Sequence, residues 1–198
     1  AMPFPHIQGA FQEYLVAEAD QCVVADGLTA GEAAMAEPLA VALHAVKQAG
    51  NLIGARVLVT GSGPIGALTI LAARRAGAAE IIATDLSDYT LAKAKAAGAD
   101  QTHNILTQPQ ALAAYGRDKG QVDVHFECSG AAAALASGIS VLRPAGQLIQ
   151  LGLGGDMNVA MQALTAKEIS LKGSFRFHFE FKAAVSLMQK GLINVSDL

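Results

Sequence analysis

The chain has 198 residues, 14 Lys and Arg against 17 Asp and Glu for a net charge of -3, and 52% apolar against 16% charged residues. That composition supplies one substantial core plus an appendage and is unlike a disordered tail. A mildly acidic balance without a basic block argues against a nucleic-acid surface, whose affinity comes from clustered Lys and Arg. Two distant cysteines, Cys22 and Cys128, exclude a disulfide framework and a Cys-rich zinc knuckle.

Gly9 to Val16 and Cys22 to Val24 read as short extended segments separated by polar turns at Asp20 and Asp26-Gly27. Near Ala36 the character changes, and apolar runs begin to alternate with helical patterns. Pro38 suits a first helical turn, the helix runs from Leu39 to Ala49, and Gly50 ends it. Arg56 to Thr60 is a strand, Gly61 to Gly66 a glycine-rich turn, and a helix follows to about Gly77. Glu80 to Asp85 is the second strand, and Tyr89 to Ala97 is a helix stopped by Gly98. A short strand near Gln101 to His103 and a weak helix around Pro109 to Tyr115 come next. Gln121 to Cys128 is the fourth strand, Ala131 to Leu142 a helix, Gln147 to Leu151 the fifth strand, Ile169 to Ser174 the sixth, and Phe181 to Lys190 a final helix. Strands joined through helices by short turns imply an α/β fold: a Rossmann-type, doubly wound parallel sheet of about six strands. No apolar run reaches the roughly 20 residues that span a bilayer, and no Lys/Arg-led signal segment opens the sequence. A cytoplasmic protein without a membrane or nucleic-acid partner is therefore expected.

The turn Gly61-Ser62-Gly63-Pro64-Ile65-Gly66 matches G-x-G-x-x-G between a strand and a helix. Gly61 permits the tight turn, Gly63 lets the backbone approach a pyrophosphate, and Gly66 lets helix and strand pack closely. Pro64 loses nothing by lacking an N–H there, while the remaining free N–H groups and the helix dipole favour an anion. Asp85, 19 residues beyond Gly66, closes the second strand where a carboxylate can accept both ribose hydroxyls. It would repel a 2′-phosphate, so NAD is expected rather than NADP. Two other readings use the same features: an S-adenosylmethionine-dependent methyltransferase, and a non-catalytic nucleotide-binding module.

Glu37-Pro38-Leu39-Ala40-Val41, Val57 to Gly66, Phe126-Glu127-Cys128-Ser129-Gly130, Leu151-Gly152-Leu153 and Gly173-Ser174-Phe175-Arg176 occur in this order. The set resembles the zinc-dependent medium-chain alcohol dehydrogenase superfamily, in its polyol branch of sorbitol and L-threonine dehydrogenases. The opening Ala1 to Phe11 and the run Leu151 to Met157 bring it nearest the L-idonate 5-dehydrogenase group. The resemblance implies hydride transfer from a secondary alcohol of a polyol or aldonic acid, such as L-idonate, to NAD, with zinc as Lewis acid. It implies that Gly61, Gly63, Pro64, Ile65 and Gly66 hold the pyrophosphate, that Asp85 and Leu86 hold the adenosine, and that Cys128, Ser129 and Gly130 line the groove. Leu151, Gly152 and Leu153 would flank the nicotinamide, Phe175 and Arg176 would close over it, and Glu37 would stand beside the zinc or its water. A homo-oligomer, dimer or tetramer, is implied as well.

Two departures from the pattern stand out. Thr90 occupies a position where the polyol branch often carries a basic residue against adenine. The early Cys and the adjacent His-Glu pair that would complete a zinc site are missing, and His6, His44, His103, His125 and His178 are scattered. The expectation is therefore a fragment: residues 1–36 a remnant of a GroES-like catalytic domain contributing a partial β segment, residues 37–198 the NAD-binding domain, with dinucleotide bound, zinc absent and no turnover.

Taken residue by residue, Glu37 also suits a helix N-terminus, and Cys128 suits a small core hydrophobe. His125 and Glu127 alternate onto one face of their strand as a hydrogen-bonded pair or a solvated edge. Arg176 sits after a strand end, where open α/β sheets place ligands, and could meet substrate hydroxyls or a carboxylate. Phe175, Phe177, Phe179 and Phe181 alternate strictly, so some must be exposed or meet a partner.

Overall fold

The computed structural model of the protein describes residue 10 and residues 12–198. The segment Ala1 to Phe11, apart from Ala10, lies outside the described residues, and His6 with it. The described chain runs α1 (Ala30–Ala34), α2 (Ala36–Ala49), β1 (Arg56–Thr60), α3 (Pro64–Arg75), β2 (Glu80–Asp85), α4 (Asp88–Ala96), β3 (Gln101–Asn104), β4 (Val122–Glu127), α5 (Ala132–Val141), β5 (Leu142–Gln150), α6 (Met161–Lys167), β6 (Ser170–Gly173) and α7 (Glu180–Gln189). All five strand pairings are parallel and the spatial order is β3-β2-β1-β4-β5-β6. This is the doubly wound order, in which the chain reverses direction across the sheet between β1 and β4 and leaves a crevice beyond their C-terminal ends.

Burial explains why these segments are strands. Val57, Leu58, Val59, Ile81, Ile82 and Phe126 are fully buried, as parallel strands must be when helices cover both faces. One layer, with α2, α3 and α7, packs on Val57, Val59, Ile81 and Phe126; the other, with α5 and α6, packs on Leu58, Ile82 and Leu148. α2 begins with Pro38 in its first turn and ends where Gly50 takes φ 80°, a conformation that favours glycine. Among the described residues no helix is long and apolar enough to cross a membrane.

The two ends of the sheet differ chemically. At the N-terminal ends of the strands, Arg56 pairs with Glu80 at 2.5 Å and its amide donates to the Asp123 carboxylate at 2.7 Å. At the C-terminal ends stand glycine turns and the polar side chains of Thr60, Thr84, Asp85 and Glu127.

Several expectations need correction. Neither Gly9 to Val16 nor Cys22 to Val24 forms a strand among the described residues; no strand precedes Arg56 there, and Ala19–Gln21 is a 3-10 turn. Instead Val23, Ala25 and Leu28 pack on the core, and Gln189 Nε2 donates to the Asp26 carbonyl at 3.0 Å. The helix expected around Pro109 to Tyr115 is a turn leading to a kinked 3-10 segment, Ala113–Lys119. α6 was not expected, and β5 starts early, at Leu142, because its pairing with β4 jumps from Val122–Leu142 to Val124–Gln147. The alternating phenylalanines are as expected: Phe175 and Phe179 are exposed, while Phe177 and Phe181 stack at 5.8 Å.

Candidate functional site

The turn between β1 and α3 is built by its glycines for three separate reasons. Gly61 takes φ 81°, and a Cβ there would stand 2.7 Å from the Ser129 amide nitrogen. A Cβ on Gly66 would stand 1.9 Å from the Gly61 carbonyl oxygen. At Gly63 it would meet nothing within 4 Å, so this is the point where the loop backbone faces open space. α3 begins at Pro64 with Gly63 as its N-cap, and no side chain caps it. The amides of its first turn have no intrahelical acceptor, and with the positive end of the helix dipole they form a receptor for an anion. Ile65 is half-buried at the start of that turn, its carbonyl accepting the Thr69 hydroxyl at 2.8 Å.

Asp85 stands beside this loop. One carboxylate oxygen accepts the Ser62 amide at 2.6 Å, and the other accepts the amides of Leu86 at 2.7 Å and Ser87 at 3.0 Å. The carboxylate thus bridges the end of β2 and the glycine loop while remaining half-exposed, and Leu86 beside it is exposed. Ser62, buried and tied to the Thr84 carbonyl, is a part of the loop that the glycine pattern alone did not single out.

The end of β4 forms the opposite wall. Cys128 is half-buried with its Sγ 3.9 Å from the Thr69 hydroxyl, and burial pushes its thiol up to about 12, so it is no nucleophile. Ser129 is exposed, and Gly130 takes φ 71°, where a Cβ would stand 2.9 Å from the Gly154 nitrogen. Leu151 and Gly152 both donate their amides to the Glu127 carbonyl, at 2.8 and 2.9 Å, and Leu153 beyond them is exposed. The loops after β1, β2, β4 and β5 therefore bring Gly61 to Gly66, Asp85, Cys128 to Gly130 and Leu151 to Leu153 to one end of the sheet.

His125 and Glu127 were expected as a pair or a solvated edge. Both are fully buried, and Thr60 lies between them, its hydroxyl 2.9 Å from His125 Nε2 and donating to Glu127 Oε1 at 3.4 Å. Burial lowers the His125 imidazole to about 3, so the ring is neutral. Sequence periodicity could place both on one face but could not reveal what covers them.

Phe175 and Arg176 follow β6, which ends at Gly173. Arg176 takes φ 56° and its guanidinium lies 5.2 Å from the Phe175 ring centroid. A left-handed backbone at a residue with a side chain is uncommon and clusters at ligand clamps. Glu37 is exposed in the first turn of α2. Among the described residues no group of three His, Cys, Asp or Glu side chains stands together to hold a metal ion, so these residues do not by themselves make a zinc site. A dinucleotide fits better: the open space at Gly63, the uncapped helix end and the acidic side chain one strand away match a diphosphate joined to a ribose.

Residues 64–190 match the family model described as zinc-binding dehydrogenase. The chain is 44% identical over 198 residues to L-idonate 5-dehydrogenase (NAD(P)(+)) of Escherichia coli strain K12, covering 98% of this chain and 57% of that protein. The crystal structure of the L-idonate 5-dehydrogenase from that species superimposes with a TM-score of 0.94 over the whole of this chain and 57% of that one. Human sorbitol dehydrogenase is 38% identical over 179 residues, which cover 87% of this chain and half of that protein, 50%. A short chain alcohol dehydrogenase from Escherichia coli CFT073, solved in complex with cofactor NADH, is 25% identical with a TM-score of 0.86, covering 98% of this chain and 58% of that one. The chain thus spans little more than half the length of these relatives. It belongs to the zinc-binding dehydrogenase family.

Proposed function

We propose that this chain is the cofactor-binding part of an NAD-dependent dehydrogenase that oxidises a secondary alcohol of a polyol or aldonic acid, such as L-idonate, to a ketone. The observation that carries this reading is the pairing of an open, uncapped amide cradle at Gly63 with a carboxylate at Asp85 that three backbone amides already hold in place. The cradle takes the diphosphate and Asp85 takes the adenosine ribose, with Leu86 against the base; Cys128, Ser129 and Gly130 on one side and Leu151, Gly152 and Leu153 on the other form the walls of the nicotinamide groove. NAD, when bound, supplies the hydride acceptor. The neutral, apolar walls at Leu151 and Leu153 keep water from the ring, and Phe175 with Arg176 covers it.

NAD rather than NADP is favoured because a 2′-phosphate would meet the Asp85 charge. In the assignment by domain, residues 37–198 form the nucleotide-binding unit and residues 1–36 belong with the catalytic domain. Glu37, exposed in the first turn of α2, would stand beside the metal or its water in the whole enzyme. Zinc would supply the Lewis acid there, with its other ligands drawn from outside the described residues, and on this reading the chain holds NAD without turning over substrate. Copies of the chain associate as a homo-oligomer, dimer or tetramer, the exposed edge strand β6 being available for it.

Calorimetry with NAD, NADP and S-adenosylmethionine, accompanied by zinc analysis and an NAD-reduction assay with L-idonate and sorbitol, tests this reading. NAD should bind most tightly. Binding of S-adenosylmethionine but not NAD would transfer the fold to a methyltransferase, and turnover with stoichiometric zinc would refute the inactive-chain part.

A further inference from the structure

Glu127 is a carboxylate with no exposed surface at the end of the central strand β4. A charge or even a neutral carboxyl in such a place is costly unless donors surround it. Here five do. Oε1 accepts the Ser129 amide at 2.8 Å, the Ser129 hydroxyl in a short contact, and the Thr60 hydroxyl at 3.4 Å. Oε2 accepts the Gly130 amide at 2.9 Å and Gln150 Nε2 at 2.6 Å. The partners come from three strand ends: Thr60 from β1, Ser129 and Gly130 from the turn after β4, and Gln150 from β5.

The connection extends to the other groove wall. Gln150 Nε2 also donates to the Gly152 carbonyl at 2.9 Å, so one amide group joins the Glu127 carboxylate to the chain at Gly152. A Cβ on Gly152 would stand 2.6 Å from Glu127 Oε2 and 2.1 Å from the Gly130 nitrogen. The glycine at 152 is therefore required by what lies beneath the groove, and its closeness sets the separation of the two walls. With the amides of Ser129 and Gly130 and the Ser129 hydroxyl all turned to the carboxylate, the bare α-carbon of Gly130 faces the other wall, where a Cβ on it would stand 2.9 Å from the Gly154 nitrogen.

We propose that Glu127 is the positioning residue of the groove: acting through Ser129, Gly130 and Gln150, its carboxylate holds the wall at 128–130 against the wall at 151–153, in the spacing that admits the nicotinamide half of the dinucleotide. The proposal rests on the cofactor reading above and assigns Glu127 no contact with the ligand. It separates the two halves of the cofactor, because the diphosphate cradle depends on Gly63 and the first turn of α3, whereas the nicotinamide walls depend on Glu127.

The test compares NADH with ADP-ribose, which keeps the adenosine, diphosphate and second ribose but lacks nicotinamide. Dissociation constants for both are measured on the wild-type chain, on Glu127→Gln and on Gln150→Leu. A Gln at 127 must either turn an amide N–H toward backbone donors or lose them; a Leu at 150 keeps the carboxylate and cuts its link to Gly152. Both variants should weaken NADH by about tenfold more than they weaken ADP-ribose, the scale of one lost buried hydrogen bond to a charged group. A general loss of fold would weaken the two ligands together, so equal losses, or unchanged NADH affinity, overturn the proposal. Should Glu127→Gln not fold, the ratio in Gln150→Leu decides by the same criterion. A wild-type chain that binds neither ligand overturns the cofactor reading and this proposal with it; a wild-type chain that binds both, with no split in the variants, overturns this proposal alone.

Discussion

The carbonyl oxygen of Gly61 lies where the side chain of any other residue at position 66 would begin, 1.9 Å from an ideal Cβ. Gly66 thus seals the turn from within, while Gly63 leaves it open to the outside. Two glycines three residues apart, identical in the sequence pattern, do opposite things.

Alanine substitution should separate them. Gly63→Ala adds a methyl in open space, at a residue with ordinary φ, and should leave the unfolding midpoint nearly unchanged while weakening NAD by tenfold or more, about 1.4 kcal/mol. Gly66→Ala forces α3 off the loop and should lower stability by roughly 1–3 kcal/mol, the overpacking range. Urea unfolding with NAD titration reads both; a Gly63→Ala chain that binds normally would show that the diphosphate lies elsewhere.

Asp85→Ser removes a carboxylate that anchors the Ser62, Leu86 and Ser87 amides. NAD affinity should fall, and the ratio of NADP to NAD affinity should rise by about tenfold or more as the repulsion of a 2′-phosphate disappears. Calorimetry with the two cofactors measures the ratio, and an unchanged value rules out Asp85 as the selector.

Acid should weaken the fold in two stages. Burial holds the His125 imidazole at about 3 against its ordinary 6.5, so the unfolded chain takes up a proton first and stability declines as pH falls from about 6.5 toward about 3. Glu180 behaves as a depressed acid: burial raises its carboxyl, but the amides of His178 and of Glu180 itself, with His44 and Lys47, outweigh burial and bring it to about 2 from 4.5. Its contribution is complete above about 4.5 and is lost as pH falls to about 2. In urea unfolding across pH, His125→Gln should flatten the upper stage and Glu180→Gln the lower one, each an effect of about 3–5 kcal/mol at most. A variant with the wild-type slope in its stage would discard that assignment.

Of the two thiols, Cys22 is exposed and Cys128 is held protonated by burial. Iodoacetamide at pH 8 should therefore modify Cys22 quickly and Cys128 only after denaturation. Rapid labelling of Cys128 in the native chain would contradict the raised thiol assigned to it.

The order of strands and helices, the glycine turn and Asp85 could be read directly from the chain, because each depends on residues close in sequence: apolar runs between glycines, and an acid at the end of such a run. α6 could not, since Leu164 is its one buried residue and a single apolar position makes no periodicity. The early start of β5 was hidden by Arg143-Pro144-Ala145-Gly146, which reads as a turn and bulges out of the pairing. Glu127 was placed on the correct strand but not in the correct environment. Two of its five donors arrive from Thr60 and Gln150, 67 and 23 residues away, and no local pattern reports those two.

α2 and α3 lie against each other and contribute Ala36, Ala40, Ala45, Ala49, Ala67, Ala72 and Ala73 to one cluster. Buried alanines in a packed cluster leave little slack: a larger residue at one of these positions is overpacked and must push its neighbours aside. Because α3 starts at the anion cradle, such a push would re-aim the amides some distance from the substitution, so affinity could be retuned from the rear of the molecule without altering any group that meets the ligand.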